Sequence, residues 1–157
     1  VETGYFGQHK LDELSLDNSL IDNLRAKAHG VGMEELRGWL GAFGFSGNDE
    51  IEKKVKVLSG GEKVRCMLSR MMLQSPNVIL MDQPTNHLDL ESIQSFNEQC
   101  TDYKGIVLLT SHDHTFMQTV ANRIIELTPK GTIDRLMEFD EYLIDERVKA
   151  LRQDMYA

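Results

Sequence analysis

The chain has 157 residues, of which 41% are apolar, and a formal net charge of −8. That length sets a prior of one domain, or most of one, with enough apolar content for a core, and the acidity argues against a general nucleic-acid glove. No apolar stretch nears the roughly 18 residues of a membrane span and no signal peptide leads the chain, so the expected setting is the cytoplasm.

In chain order, Val1 to Phe6 alternates weakly and predicts a short strand ending near Gly7-Gln8. The first residue is not Met and the strand reads as already in progress, as in a piece of something longer. Asp17-Asn18-Ser19 predicts a helix start, with Leu20, Ile21 and Leu24 at helical spacing up to Gly30. A second helix fits Met33 to Phe43, with Trp39 and Phe43 as core. Asn48 to Lys56 is charged and reads as a solvated surface segment.

Leu58-Ser59-Gly60-Gly61-Glu62-Lys63-Val64-Arg65 then opens a strongly periodic helix. Ser59 is a good N-cap and Glu62 stands in capping-box position. Val64, Met67, Leu68, Met71 and Met72 form its apolar stripe, the methionines as gap-filling core. Ser75-Pro76 ends it. Val78 to Met81 carries no polar residue, which predicts a central parallel strand covered on both faces. A helix from about Leu90 to Cys100 follows, then a second buried strand, Gly105 to Thr110, ending in Ser111-His112-Asp113. A helix (Thr115 to Val120), a strand (Arg123 to Leu127), a turn at Pro129 to Thr132, a hairpin partner (Ile133 to Met137) and a terminal helix (Asp140 to Met155) complete the chain. Cys66 and Cys100 sit inside predicted helices without metal or disulfide spacing, and read as buried, inert thiols. Strands alternating with helices mean an α/β sheet, and the helices before Leu58 mean a separate helical subdomain.

Gly60 and Gly61 lack side chains, so a phosphate can come close to the free N–H groups of the helix start. Asp82, ending an apolar strand, is placed to hold Mg²⁺ through water. Position 83 would abut a terminal phosphate, where a carboxylate could deprotonate an attacking water. Gln83 can orient that water but cannot take its proton. His112, ending the neighbouring strand, could reach the same phosphate. Each of these features alone is unspecific.

Their order and spacing are not. Gln8, Leu58 to Arg65, Val78 to Asp89 and Ser111-His112-Asp113 together resemble the ATP-binding cassette family, over essentially the whole chain. The resemblance implies a P-loop NTPase-type α/β core, with a helical signature subdomain over about 10–75, the α/β core over about 76–137 and a C-terminal helix over about 138–157. It implies ATP and Mg²⁺ as cofactors. Gln8 resembles the metal- and water-sensing glutamine. Ser59, Gly60, Gly61 and Glu62 resemble the signature that closes over ATP on the opposite cassette. Asp82 resembles the Walker B acid, Asp89 the D-loop aspartate and His112 the γ-phosphate switch. Transporter cassettes usually carry Gln where Glu62 stands and another pair where Asn86-His87 stand. Chromosome and repair ATPases lack Pro84-Thr85-Asn86-His87. The combination here is similar to the ABC-F group of tandem-cassette proteins that bind the ribosome near its tRNA exit site, some of which protect it from antibiotics. The C-terminal helix favours the second of two cassettes. A transporter ATPase subunit is the alternative, and a DNA-repair ATPase the third reading.

Two departures matter. No Gly-x-x-x-x-Gly-Lys-[Ser/Thr] phosphate loop is present in the 157 residues, so the segment lacks the family's main phosphate cradle (the Walker A segment) and is not expected to hold ATP tightly alone. The family's catalytic Glu is replaced by Gln83. General-base catalysis supplies about 10²–10⁴ in rate, so this cassette is expected to close on ATP and hydrolyse it slowly. The intact neighbouring motifs favour a substitution in a working site over natural decay.

Overall fold

The computed structural model describes every residue except His87, and every other side chain except those of Gln8 and His9. The described residues fall into two compact units, Val1–Ser111 and His112–Ala157. The second half of the Asn86-His87 pair therefore lies outside the described residues.

The first unit carries a sheet of three parallel strands, β1 (Thr3–Phe6), β2 (Val78–Asp82) and β3 (Ile106–Thr110), with β2 central. Its register pairs Tyr5 with Leu80 and Leu80 with Leu108, and sets Asp82 opposite Thr110. Parallel neighbours need long crossovers. The β1–β2 crossover holds a 3-10 turn at Gln8–Glu13, α1 (Leu20–Arg25), α2 (Met33–Ala42), α3 (Asn48–Ile51), a second 3-10 turn at Val55–Val57 and α4 (Gly60–Leu73); the β2–β3 crossover holds α5 (Leu90–Asp102).

The core of this unit is α4. Its stripe is buried as the periodicity requires, at Val64, Met67, Leu68, Met71 and Met72, together with Cys66. Met71 and Pro76 lie so close to β1 that a Cβ at Gly4 would meet Pro76 Cγ at 3.0 Å and Met71 Cγ at 3.2 Å. A side chain at this position would press Pro76 and Met71 away from the strand. Burial pushes the thiols of Cys66 and Cys100 up to about 12, so both stay protonated at neutral pH. Arg70, also buried, is held by Glu13, whose backbone O it meets at 3.1 Å and whose carboxylate at 3.2 Å.

Several expectations need correction. Among the described residues β3 is covered on one face, not two, while Val78 and Leu80 of β2 are half-buried. Ile79 and Met81 are buried, but Ile106 and Leu108 on the opposite face are 65% and 53% exposed. The segment at 48–56 is not simply solvated, because Ile51 and Val55 are core residues that anchor α3 and the second 3-10 turn. The helix begun at Ser19 ends at Arg25 rather than near Gly30. There the N–H groups of Lys27 and Ala28 turn to the carbonyls of Leu24 and Arg25, three residues back, which tightens and closes the helix. Trp39 is half-buried, its indole N–H donating to Ser69 O at 2.9 Å, while Phe43 is buried as expected.

The second unit holds α6 (His114–Val120), the antiparallel pair β4 (Ile124–Thr128) and β5 (Gly131–Arg135), α7 (Phe139–Ile144) and α8 (Glu146–Tyr156). Its core is Ile133, Tyr142 and Val148, with Ile124, Met137, Leu151 and Met155 packed around them. Glu126 of β4 accepts from Tyr142 Oη at 2.5 Å, Tyr156 Oη at 2.8 Å and Arg152 Nε at 3.1 Å, which ties α7 and α8 to the hairpin. The single terminal helix expected over 140–155 is two helices. Asp145 breaks it by adopting extended backbone and turning its carboxylate onto the N–H groups of Arg147 and Val148, both at 2.9 Å. Aspartate is among the best N-caps, so a new helix start competes well with continuation here. Asp145→Ala is expected to cost about 1 kcal/mol and to speed amide hydrogen exchange at Val148. Unchanged protection there would show that the break does not depend on the cap.

Candidate functional site

The site is built from two helix starts and one strand end, all in the first unit. The first helix start is that of α4. Ser59 Oγ accepts from Glu62 N at 3.2 Å, and Glu62 Oε2 accepts from Ser59 N at 2.7 Å, a complete capping box. The bond from the Ser59 N–H holds the Glu62 carboxyl below its usual range, against some desolvation and with help from Arg65 and Lys53. Ser59 and Gly60 are exposed and Gly61 is partly so. A Cβ added at Gly60 would meet nothing within 4 Å. Among the described residues no packing demands a glycine there.

Arg65, one turn further, is the residue whose role the sequence did not announce. Its Nη1 donates to Phe43 O and Gly44 O, each at 3.2 Å, and its guanidinium lies 4.7 Å from the centroid of the Phe45 ring. Gly44, at φ +79°, leaves room for it, since a Cβ there would stand 2.5 Å from Nη1. From α5, Ser95 Oγ and Gln99 Nε2 donate to Ala42 O. The open carbonyl end of α2 is thus closed by side chains from the two helices whose N-termini carry Ser59 and Asp89.

Asp89 is the second helix start, the N-cap of α5, its Oδ1 accepting from Ser92 N at 2.8 Å. Hydrogen bonding from Ser92, then the Arg65 charge, holds its carboxyl below the ordinary value. One guanidinium therefore acts on both Glu62 and Asp89.

The strand end is that of β2. Asp82 is exposed at its carboxyl terminus, and its Oδ1 accepts from Thr110 Oγ1 at 2.7 Å. Gln83 follows with φ +49°, rare for a residue with a side chain. Its N–H is shared between Thr110 O at 3.0 Å and Thr110 Oγ1 at 3.2 Å. Gln83 Oε1 is buried without a hydrogen-bond partner among the described residues. Beyond it, Pro84 and Thr85 are buried, and Thr85 Oγ1 lies 3.4 Å from Ser111 Oγ.

The structure thus brings Asp82 and Gln83 together at the end of β2, against β3, and ties the helices that start at Ser59 and Asp89 to the carbonyl end of α2. Gln8 opens the 3-10 turn directly after β1, and its side chain lies outside the described residues. His112 is exposed and belongs to the second unit, two residues before α6, whose N-cap is Asp113. No group of three or more His, Cys, Asp or Glu able to hold a metal occurs among the described residues. A single exposed carboxylate suits Mg²⁺, which keeps most of its water and takes its other ligands from phosphate. Thr110 and Arg65 went unnoticed because each works through contacts that only the fold creates.

Residues 1–86 match the protein-family model described as ABC transporter. The chain belongs to the ATP-binding cassette family, among the ABC-F proteins. It is 51% identical over 142 residues to an uncharacterized ABC transporter ATP-binding protein, YkpA of Bacillus subtilis, covering 90% of this chain and 26% of that protein. It is 40% identical to the probable ATP-binding protein YbiT of Escherichia coli O157:H7, over 89% of this chain and 26% of that one. It is 31% identical to ABC transporter F family member 2 of Arabidopsis thaliana, over 96% of this chain and 22% of that one. The chain spans about a quarter of the length of these relatives. Its three parallel strands and their helical crossovers are part of a P-loop NTPase fold, and cassettes of this family are ATPases. Among the described residues no helix is long and apolar enough to cross a membrane.

The capping box gives a pH test. With its folded pKa below the unfolded value of about 4.3, Glu62 contributes stability that is present above that value and lost as pH falls through the folded pKa. Glu62→Gln keeps an acceptor for Ser59 N but no charge at the helix start. At pH 7 the variant is expected to be less stable by about 0.3–1 kcal/mol. In urea unfolding that difference should shrink steadily as pH falls from about 4.3 through the lower folded pKa. A gap of constant size down to pH 3 would contradict the assignment.

Proposed function

We propose that this chain is part of one nucleotide-binding cassette of an ABC-F translation factor or ribosome-protection protein, an ATP-dependent clamp in the cytoplasm that acts on the ribosome. Its partners are a second cassette of the same polypeptide and, mostly through other parts of that polypeptide, rRNA and tRNA. Within the chain, residues 10–75 serve as the signature-bearing helical part, 76–137 as the α/β core and 138–157 as the C-terminal helical segment of a second cassette. The observation that carries the reading is the pairing of an exposed strand-end carboxylate, Asp82, with a glutamine held directly beside it at positive φ.

ATP with Mg²⁺ supplies, when bound, the polyphosphate charge and the phosphoryl group that is transferred to water. The chain's own residues divide the remaining work. Gly60 and Gly61 offer N–H groups at a helix start, and Ser59 its hydroxyl, to an anion from the opposite cassette, and the open space before Gly60 supports this. Glu62 keeps Ser59 in capping geometry. Asp82 holds the metal, with Gln8 nearby in the sequence order of the family. Asp89, fixed by Ser92, faces the partner cassette, and His112 reads the γ-phosphate.

Gln83 orients the attacking water through its amide but takes no proton from it, so the cassette stays closed on ATP. Restoring the base is the test. Gln83→Glu in the complete polypeptide is expected to raise ribosome-stimulated ATP hydrolysis by about 10²–10⁴. No gain would overturn the role of position 83. Co-purification with membrane proteins instead of ribosomes would favour a transporter subunit.

A further inference from the structure

The hydroxyl of Thr110 has one hydrogen and two lone pairs, and the structure uses both kinds of bond at the candidate site. Its hydrogen goes to Asp82 Oδ1 at 2.7 Å, a charge-assisted bond of the short kind. One lone pair accepts from Gln83 N–H at 3.2 Å. That same N–H also donates to Thr110 O at 3.0 Å, so a single residue of β3 holds both consecutive residues at the end of β2. The register makes this obligatory, since Thr110 is the residue paired with Asp82.

Two consequences follow. The bond to Oδ1 commits one carboxylate oxygen and with it the side-chain torsion of Asp82, leaving the second oxygen for a metal. The bonds to Gln83 N–H hold that residue at φ +49°, a conformation a side-chain-bearing residue does not choose unaided. Side chains that orient a metal-binding carboxylate are as much a part of a metal site as its ligands.

We propose that Thr110 is a positioning residue for the Mg²⁺–nucleotide site, fixing the Asp82 carboxylate and the backbone of Gln83 through one hydroxyl. This rests on the reading of Asp82 as the metal-holding acid.

The test uses the complete polypeptide and measures Mn²⁺ affinity by electron paramagnetic resonance at saturating non-hydrolysable ATP analogue, for Thr110→Val, Thr110→Ala, Thr110→Ser and Asp82→Asn. Val matches the shape of Thr without the hydroxyl, and Ala guards against a packing fault specific to Val. Both are expected to weaken Mn²⁺ binding by about 10-fold or more, the usual effect of removing such an outer partner. Thr110→Ser should restore it to within about two-fold, since it keeps the hydroxyl. Analogue binding in EDTA should be unchanged in all, which a merely structural role for Thr110 would not predict. If Asp82→Asn loses Mn²⁺ while Val and Ala bind it normally, the role of Thr110 is overturned and the reading of Asp82 stands. If Asp82→Asn binds Mn²⁺ normally, the reading of Asp82 falls and takes the proposal with it.

Discussion

The parallel register between β2 and β3 is the constraint on which the candidate site depends. It sets Asp82 opposite Thr110, and from that one pairing follow the orientation of the carboxylate, the left-handed turn at Gln83 and the contact of Thr85 with Ser111. A slip of one residue would turn Asp82 to the other face of the sheet, toward Ile79, Met81 and the helix α4. Burial of Ile79 and Met81 holds the register against that slip. The hydrophobic pattern of β2 therefore serves the acid at its end. Apolar side chains on one face fix which way a polar one must point on the other.

The two helix starts are governed by a different device. Both α4 and α5 begin on a capping side chain, and both send side chains back to the carbonyl end of α2. Arg65 reaches Phe43 O and Gly44 O, while Ser95 and Gln99 reach Ala42 O. A helix C-terminus attracts the Arg65 cation of α4, and neutral hydrogen bonds from Ser95 and Gln99 of α5 fasten the second helix to the same post. The same guanidinium lowers the pKa of both Glu62 and Asp89. The helices that start at Ser59 and Asp89 are thus both tied to the carbonyl end of α2.

The sequence made some of this legible and hid the rest for physical reasons. The apolar stripe of α4, its capping box and the strand ending at Asp82 are local patterns, complete within a dozen residues, and they survive intact in the structure. Breaks in helices were harder. Asp145 lies within a run that keeps helical periodicity, and periodicity carries no record of a side chain that prefers to cap the next turn. Charge misled at 48–56, where Ile51 and Val55 sit among Asp, Glu and Lys yet are the residues that decide the packing. The strands misled in the opposite direction. An unbroken apolar run is what a strand covered on both faces needs, but at β3 only one face is covered among the described residues, so Ile106 and Leu108 stand open. Thr110 and Arg65 could not be read at all, because their partners lie at least 27 and at least 21 residues away along the chain.

The setting of Gln83 also bears on what its side chain can do. Its backbone conformation is held through its N–H, by Thr110 O and Oγ1, and those bonds take no account of the side chain. Glutamine and glutamate are nearly the same size, so an exchange at this position alters chemistry while leaving the turn in place. The side-chain oxygen is buried and unpartnered among the described residues. For a neutral amide that costs about 1–3 kcal/mol of desolvation. A carboxyl group in the same spot would be penalised more in its charged form, and its pKa would rise from the ordinary range toward neutrality. A raised pKa is what a general base needs in order to accept a proton from water at working pH. On the proposed reading these surroundings would suit an acid–base residue at position 83, whereas the glutamine there keeps a buried side-chain oxygen unpartnered among the described residues.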